Sequence, residues 1–316
     1  MVGLPFTSGD PVADRRATFA ETMAELGDWD AAAEAMSGAM DLVPGWAAGW
    51  FRLGEYLSRA GRDEAAAQAF GQSAEADPSD RLGAGLRREI LLGEPVAETM
   101  PSAFVELLFD QYAPRFETSL VEKLQYRGPE ILLEALQGTG FRRSERALDL
   151  GCGTGLAGEV LRPHCAWLAG YDISAGMLTE ARTKGVYDLL DKRDIGELDI
   201  GTDRYDLIVA ADVFMYLGAL ERIIGWCAAS LLPEGRLAFT VELGTGPVEL
   251  RESCRFAHSR GYIENLMHDA GFAGVQIAET VLRQDRGQDV VALCVIAAPE
   301  PFAHDLEGDG EAGALV

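Results

Sequence analysis

The run Leu148-Asp149-Leu150-Gly151-Cys152-Gly153-Thr154-Gly155 constrains the fold more than any other stretch of the chain. Residues 147–150 read as a short buried strand, and glycines at 151, 153 and 155 follow it directly. Lacking Cβ atoms, glycines let a chain turn sharply and come close to a ligand, and a helix starting there offers free N–H groups. A strand–turn–helix unit of this kind belongs in a sheet of parallel strands. Short, turn-bounded apolar runs at 167–171, 205–210 and 237–241 alternate with helical stretches, which predicts an α/β, doubly wound, Rossmann-like, mostly parallel sheet. Two late runs, near 274–279 and 290–297, are spaced to form an antiparallel pair at one edge.

The first eighty residues follow another rule. Trp50, Leu53, Gly54, Gly61, Ala66, Phe70 and Pro78 fall on the tetratricopeptide pattern, and a shift of 34 places Gly27, Ala32, Met36 and Pro44 on the last four of these. Large residues on one helix fill gaps left by small ones on the next, and proline ends the second helix. Leu57 stands at the pattern's tyrosine and Arg16 at the first copy's tryptophan, so the first copy is degenerate. Residues 81–92 continue as a helix that caps the array, and 93–100 read as a linker. Helical pattern resumes at Ser102 and again over 129–136. The expected organisation is an all-α helical repeat domain over 1–95, a helical lead-in or lid over 96–140, the α/β domain over 141–300, and an acidic disordered tail over 301–316.

A formal net charge of −24 repels phosphate backbones and anionic lipid surfaces, which argues against a nucleic-acid partner. No run approaches the length of a membrane helix and residues 1–12 lack signal-peptide features, so the expected compartment is cytoplasmic. The five cysteines are odd in number and none forms a C-x-x-C pair, so no disulfide framework and no metal site is expected.

The glycine loop alone leaves its ligand open, because residues 153–158 also satisfy the dinucleotide spacing G-x-G-x-x-G. Three acidic positions favour S-adenosylmethionine. Asp149 suits a cationic sulfonium and ammonium and would repel a pyrophosphate. Asp172 ends the second strand, where it can accept from both ribose hydroxyls, a feature common to either cofactor. Asp194-Ile195 lies near the expected end of a third strand, where a carboxylate can meet an adenine amino group.

Residues 148–155 with Asp172, Asp194 and Ala211-Asp212-Val213 resemble the successive motifs of class I S-adenosylmethionine-dependent methyltransferases, and the resemblance spans about 105–298. Residues 109–116 are similar to the lead-in helix of a bacterial subgroup with tetratricopeptide repeats before the methyltransferase domain. The resemblance implies that Tyr112 closes over the methionine end, assisted by Phe116. It also implies that Gly151 and Gly153, in the loop with Gly155, meet the amino-acid part, Asp172 and Ile173 the ribose, and Met177 the adenine face, with Asp212 in the site. Glu117 departs from the subgroup's aromatic–Asp ending.

Methyl transfer needs a positioned nucleophile and, for some acceptors, a base. His258 after the fifth strand and Tyr216 after the fourth are the candidate catalytic residues. The acceptor, a small molecule or a protein, is not written in the sequence. The helical repeats suggest a protein partner or self-association. The rival expectation is a repeat-borne interaction protein whose methyltransferase-like domain binds the cofactor without turning over.

Overall fold

The computed structural model describes residues 7–93, 100–285 and 287–302; most of the expected linker over 93–100 and most of the expected tail over 301–316 lie outside them. The chain divides into two compact units, one comprising Met1–Leu107 with Glu252–Cys254, the other Leu108–Arg251 with Arg255–Val316. Among the described residues no helix is long and apolar enough to cross a membrane.

The first unit is a stack of antiparallel helices: α1 (Pro11–Glu25), α2 (Trp29–Met40), α3 (Ala47–Arg59), α4 (Asp63–Ala76) and α5 (Ala84–Leu92). Asp10 and Asp28 cap α1 and α2 with side-chain carboxylates. The 34-residue spacing has a three-dimensional counterpart. Gly27 and Gly61 turn at φ +81° and +73°, Ala32 and Ala66 are fully buried, and Met36 and Phe70 fill equivalent core positions. The helix expected over 81–92 starts only at Ala84, because Gly83 takes a left-handed conformation ahead of it.

In the second unit a nine-stranded sheet runs in the order β3 (Leu189–Lys192), β2 (Cys165–Asp172), β1 (Ser144–Leu150), β4 (Tyr205–Ala210), β5 (Leu231–Leu243), β7 (Phe256–His258), β6 (Val248–Leu250). β9 (Gln288–Ala298) lies antiparallel to β5 and carries β8 (Gly274–Asp285) outside it. The late strands thus pair antiparallel, as expected. The β6–β7 hairpin was not foreseen, since strands of three residues leave no periodic trace.

Alternation along the strands sorts side chains onto two faces. Leu148, Leu150, Ile208, Ala210 and Phe239 enter one core with α10 (Glu221–Ser230) and α11 (Arg260–Asp269). Ala147, Leu168, Leu207 and Val209 enter the other with α7 (Gly128–Gly138) and α8 (Leu156–Leu161). Asp149 falls on that second face and is fully buried. Its register partners are Gly170 on β2 and Val209 on β4. β1 is therefore where the strand order reverses, and the carboxyl end of such a switch point is where ligands bind in doubly wound sheets.

Candidate functional site

The loop after β1 is shaped by close approach. Gly151 takes φ +63°, and a Cβ there would stand 2.3 Å from Cγ2 of Val213, in the segment following β4. Gly155, at φ +94°, precedes α8, and a Cβ on it would press on the Tyr187 ring at 3.1 Å. Both positions therefore exclude any side chain, on conformational and steric grounds together.

Two buried carboxylates flank this loop. Asp149 is completely buried; its Oδ2 accepts from the Tyr187 hydroxyl at 2.7 Å, and its Oδ1 has no partner. Burial pushes its carboxyl up to about 7, opposed by the Tyr187 hydrogen bond and reinforced by the charge of Asp172. Asp172, at the end of β2, accepts from the backbone N–H groups of Gly153 and Ser174, each at 2.8 Å. Burial pushes it up to about 6 against those bonds. Among the described residues neither carboxylate has a basic partner within ion-pair distance. A pair of desolvated acids without a cation is costly, and the cost is relieved by a cationic ligand.

α6 (Ser102–Tyr112) and the turn after it bring an aromatic cluster to the loop. Phe116 Cε1 lies 3.9 Å from where a Cβ on Gly153 would sit, and the ring packs edge-on against Phe109 and Tyr112. Phe109 meets the Tyr216 ring edge-on at 5.2 Å. Asp110 ties the end of α6 to the start of α9 (Ala175–Lys184), accepting from Ser174 Oγ at 2.6 Å and Gly176 N at 2.9 Å. Glu117, the departure noted in the sequence, pairs with Lys184 at 2.7 Å.

Across the switch point lies an ion network. Asp212 sits at φ +56°, its N–H donating to Thr240 Oγ1 at 2.9 Å. Both its carboxylate oxygens accept from Arg283 Nη1, at 3.0 and 2.7 Å, while Arg283 Nη2 donates to Glu242. Arg251 donates to Glu242 at 3.1 Å, and Arg255 stands 3.8 Å from it. Burial pushes Asp212 up to about 6, opposed by Arg283 and Arg255. Burial acts to lower Arg255, but Tyr216, Asp212 and Glu242 outweigh it and hold the guanidinium charged.

The remaining sequence-derived candidates take varied places. Ile173 is half-buried beside Asp172, and Met177 is buried on α9 with its N–H on Ser174 Oγ. Asp194 and Ile195 stand just past the end of β3, where the Asp194 side chain accepts from Gly196 N. Tyr112 is 46% exposed at the end of α6. His258 is fully buried within β7, its Nε2 2.9 Å from the Gly218 carbonyl and its ring stacked on Tyr262. Burial lowers its pKa, so it is neutral.

Sequence reasoning passed over Tyr187, Glu242, Arg251, Arg255 and Arg283. A sign of Arg283 was present, a lone cation within the strand pattern Val281-Leu282-Arg283; Tyr187 left none.

A sheet of this order, with a glycine loop and two uncompensated acids at its switch point, is the arrangement at which doubly wound α/β folds bind ligands, and the acids suit a ligand that carries positive charge. Residues 148–237 match the model of the methyltransferase domain family. The chain is 30% identical over 205 residues to a malonyl-[acyl-carrier protein] O-methyltransferase of Methylococcus capsulatus, covering 60% of this chain and 73% of that one. It is 27% identical over 176 residues to the protein of that name from Enterobacter lignolyticus, covering 54% of this chain and 68% of the relative. It is also 30% identical over 102 residues to a ubiquinone biosynthesis O-methyltransferase of Coxiella burnetii, covering 31% of this chain but only 44% of that relative's length. The chain belongs to the class I S-adenosylmethionine-dependent methyltransferases.

Proposed function

We propose that the second unit binds S-adenosylmethionine at the β1 switch point and transfers its methyl group to an oxygen atom of an acceptor. The observation that carries the reading is the pair Asp149 and Asp172: buried, without a basic partner, and with Asp149 Oδ1 left unsatisfied beside a glycine loop. These residues fit a ligand that brings its own positive charge. Gly151, Gly153 and Asp149 would hold the amino-acid end, Asp172 and Ile173 the ribose, and Met177, Asp194 and Ile195 the adenine side. Gly155 shapes the loop, and Asp212 borders the site through its neighbour Val213. Bound there, the cofactor supplies a methyl carbon already activated by its sulfonium.

The protein's part is then to position and to exclude water. The cluster of Phe109, Tyr112 and Phe116 over the loop supports a lid role for the lead-in helix. The names of the three relatives support an oxygen acceptor. The 34-residue register of the first unit supports a tetratricopeptide-type module, read here as a docking surface for a protein partner or a second copy.

Calorimetric titration with S-adenosylhomocysteine tests the proposal. Wild type is expected to bind, with Asp172→Asn weakened at least tenfold. Absence of binding by a folded wild type would overturn it.

A further inference from the structure

The Arg283 network gathers three arginines (251, 255, 283) around two buried carboxylates (212, 242), and Glu249 also acts on Arg251, in a chain whose overall charge is −24. Arg283 and Arg251 each have a close carboxylate partner. Arg255 does not: its contact with Glu242 is the longest of the set at 3.8 Å, Asp212 acts on it without an ion-pair contact, and the Tyr216 phenol beside it is neutral. Its side chain is 26% exposed, so its other donors reach open space from a largely desolvated base. A guanidinium in such a setting is matched by a carboxylate, to which it gives a charge-assisted hydrogen bond.

Its place is also defined. Tyr216 binds Arg255, the Tyr216 ring meets Phe109, and Phe109 with Phe116 borders Gly153 of the cofactor loop. The Arg255 guanidinium therefore adjoins the wall of the methyl-donor site. The candidate bases nearby are committed elsewhere: His258 is buried against Gly218, and both oxygens of Asp212 accept from Arg283. A nucleophile that arrives already ionised needs no base.

We propose, resting on the methyltransferase reading above, that the acceptor is a carboxylic acid, held through one oxygen by Arg255 with Tyr216 positioning the guanidinium, and that the product is its methyl ester. The free carboxylate oxygen provides the electron pair of the new C–O bond. The C–S pair departs with sulfur, leaving a neutral thioether and a neutral ester, and no proton moves.

The experiment uses the full chain saturated with S-adenosylhomocysteine. It is titrated with acetate, malonate, glutarate, benzoate and a glutamate-containing peptide, each beside its amide analogue. At least one acid is expected to bind tenfold or more tightly than its amide, and the free acids against the peptide tell a metabolite from a protein side chain. Arg255→Gln should abolish that preference while leaving the S-adenosylhomocysteine Kd within twofold, and Arg255→Lys should restore part of it. Tyr216→Phe, which keeps the ring, should weaken the acid about threefold or more. With methyl-labelled cofactor, the transferred label should leave as methanol in mild alkali, as from an ester. No acid bound better than its amide, an acid preference that survives Arg255→Gln, or an alkali-stable label would each overturn the assignment. Failure to bind S-adenosylhomocysteine would instead overturn the underlying methyltransferase reading.

Discussion

Tyr187 donates its phenolic hydrogen to Oδ2 of Asp149 across 2.7 Å, while its ring occupies the space that a Cβ on Gly155 or Gly158 would fill. One side chain thus sets both the shape of the glycine loop and, among the described residues, the one hydrogen bond to the carboxylate beneath it. Hydrogen bonds to charged groups contribute about 1.5–3 kcal/mol. Tyr187→Phe keeps the packing and removes the bond, so the Asp149 carboxyl should rise further above 7. Affinity for S-adenosylhomocysteine at neutral pH is expected to fall roughly tenfold, on the order of 1.4 kcal/mol, with little change in melting temperature. Calorimetry beside a thermal melt separates the two effects; unchanged affinity would show that the bond does not serve the ligand.

Cofactor affinity should depend on pH with a definite sign. The ammonium group of S-adenosylhomocysteine favours ionised Asp149, and its ribose hydroxyls donate best to ionised Asp172; burial holds these carboxyls near 7 and 6. Binding is therefore full above pH 8 and weakens as pH falls through 7 and then 6. The unliganded protein moves the other way. Acids whose pKa is raised on folding stabilise the fold at low pH, and that contribution is lost as pH rises from about 4 through 7. The rise in melting temperature given by saturating S-adenosylhomocysteine should accordingly be larger at pH 8 than at pH 5.5. Differential scanning measurements at the two values check this, and an equal or reversed increment would contradict it.

Much of this arrangement was legible in the chain, and the division is physical. The strand β1, the loop and the acid ending β2 lie within 29 residues, Ser144–Asp172, so local spacing specifies them. Asp149 was readable as an acid beside the loop, because it interrupts an apolar run. Its partner Tyr187 was not: the two meet only because β3 pairs with β2. The Arg283 network is further from view, since it joins positions 212, 242 and 283 through the antiparallel return of β8 and β9 onto β5. His258 illustrates the converse. Its position after β5 suggested a loop facing substrate, whereas Phe256–His258 pair with β5 and carry the ring into the interior.

The Arg283 network should be a strong determinant of stability. Removing one partner of a buried ion pair leaves the other charge uncompensated, at a cost of about 3–5 kcal/mol. Arg283→Met, which roughly preserves volume, is expected to destabilise the second unit by that order at pH 8. The loss should shrink towards pH 5.5, because Asp212, already pushed up to about 6 and freed from the opposing arginine, takes up a proton. Urea unfolding at both values reads the difference. Restoring neutrality with Arg283→Met combined with Asp212→Asn should recover part of the loss at pH 8. A pH-independent loss, or none, would show that these charges do not act as a buried pair.

The helical unit admits a separate test of the packing that its 34-residue spacing encodes. A Cβ on Gly54 would lie 2.7 Å from the Phe70 ring. That ring is 2% exposed and stands edge-on to Phe51 at 5.4 Å, so it has no room to withdraw. Overpacking of this kind costs about 1–3 kcal/mol. Gly61 presents the opposite case: open space around it, but φ +73°, for which an L-residue pays about 1–2 kcal/mol through backbone strain alone. If interdigitation across α3 and α4 holds the unit together, Gly54→Ala should be partly rescued by Phe70→Leu, which vacates the contact, while Gly61→Ala should gain nothing from it. Denaturation followed through the unit's tryptophans resolves the two cases. Equal rescue of both, or of neither, would mean that the small-against-large contact at Gly54 is not what sets the spacing of these helices.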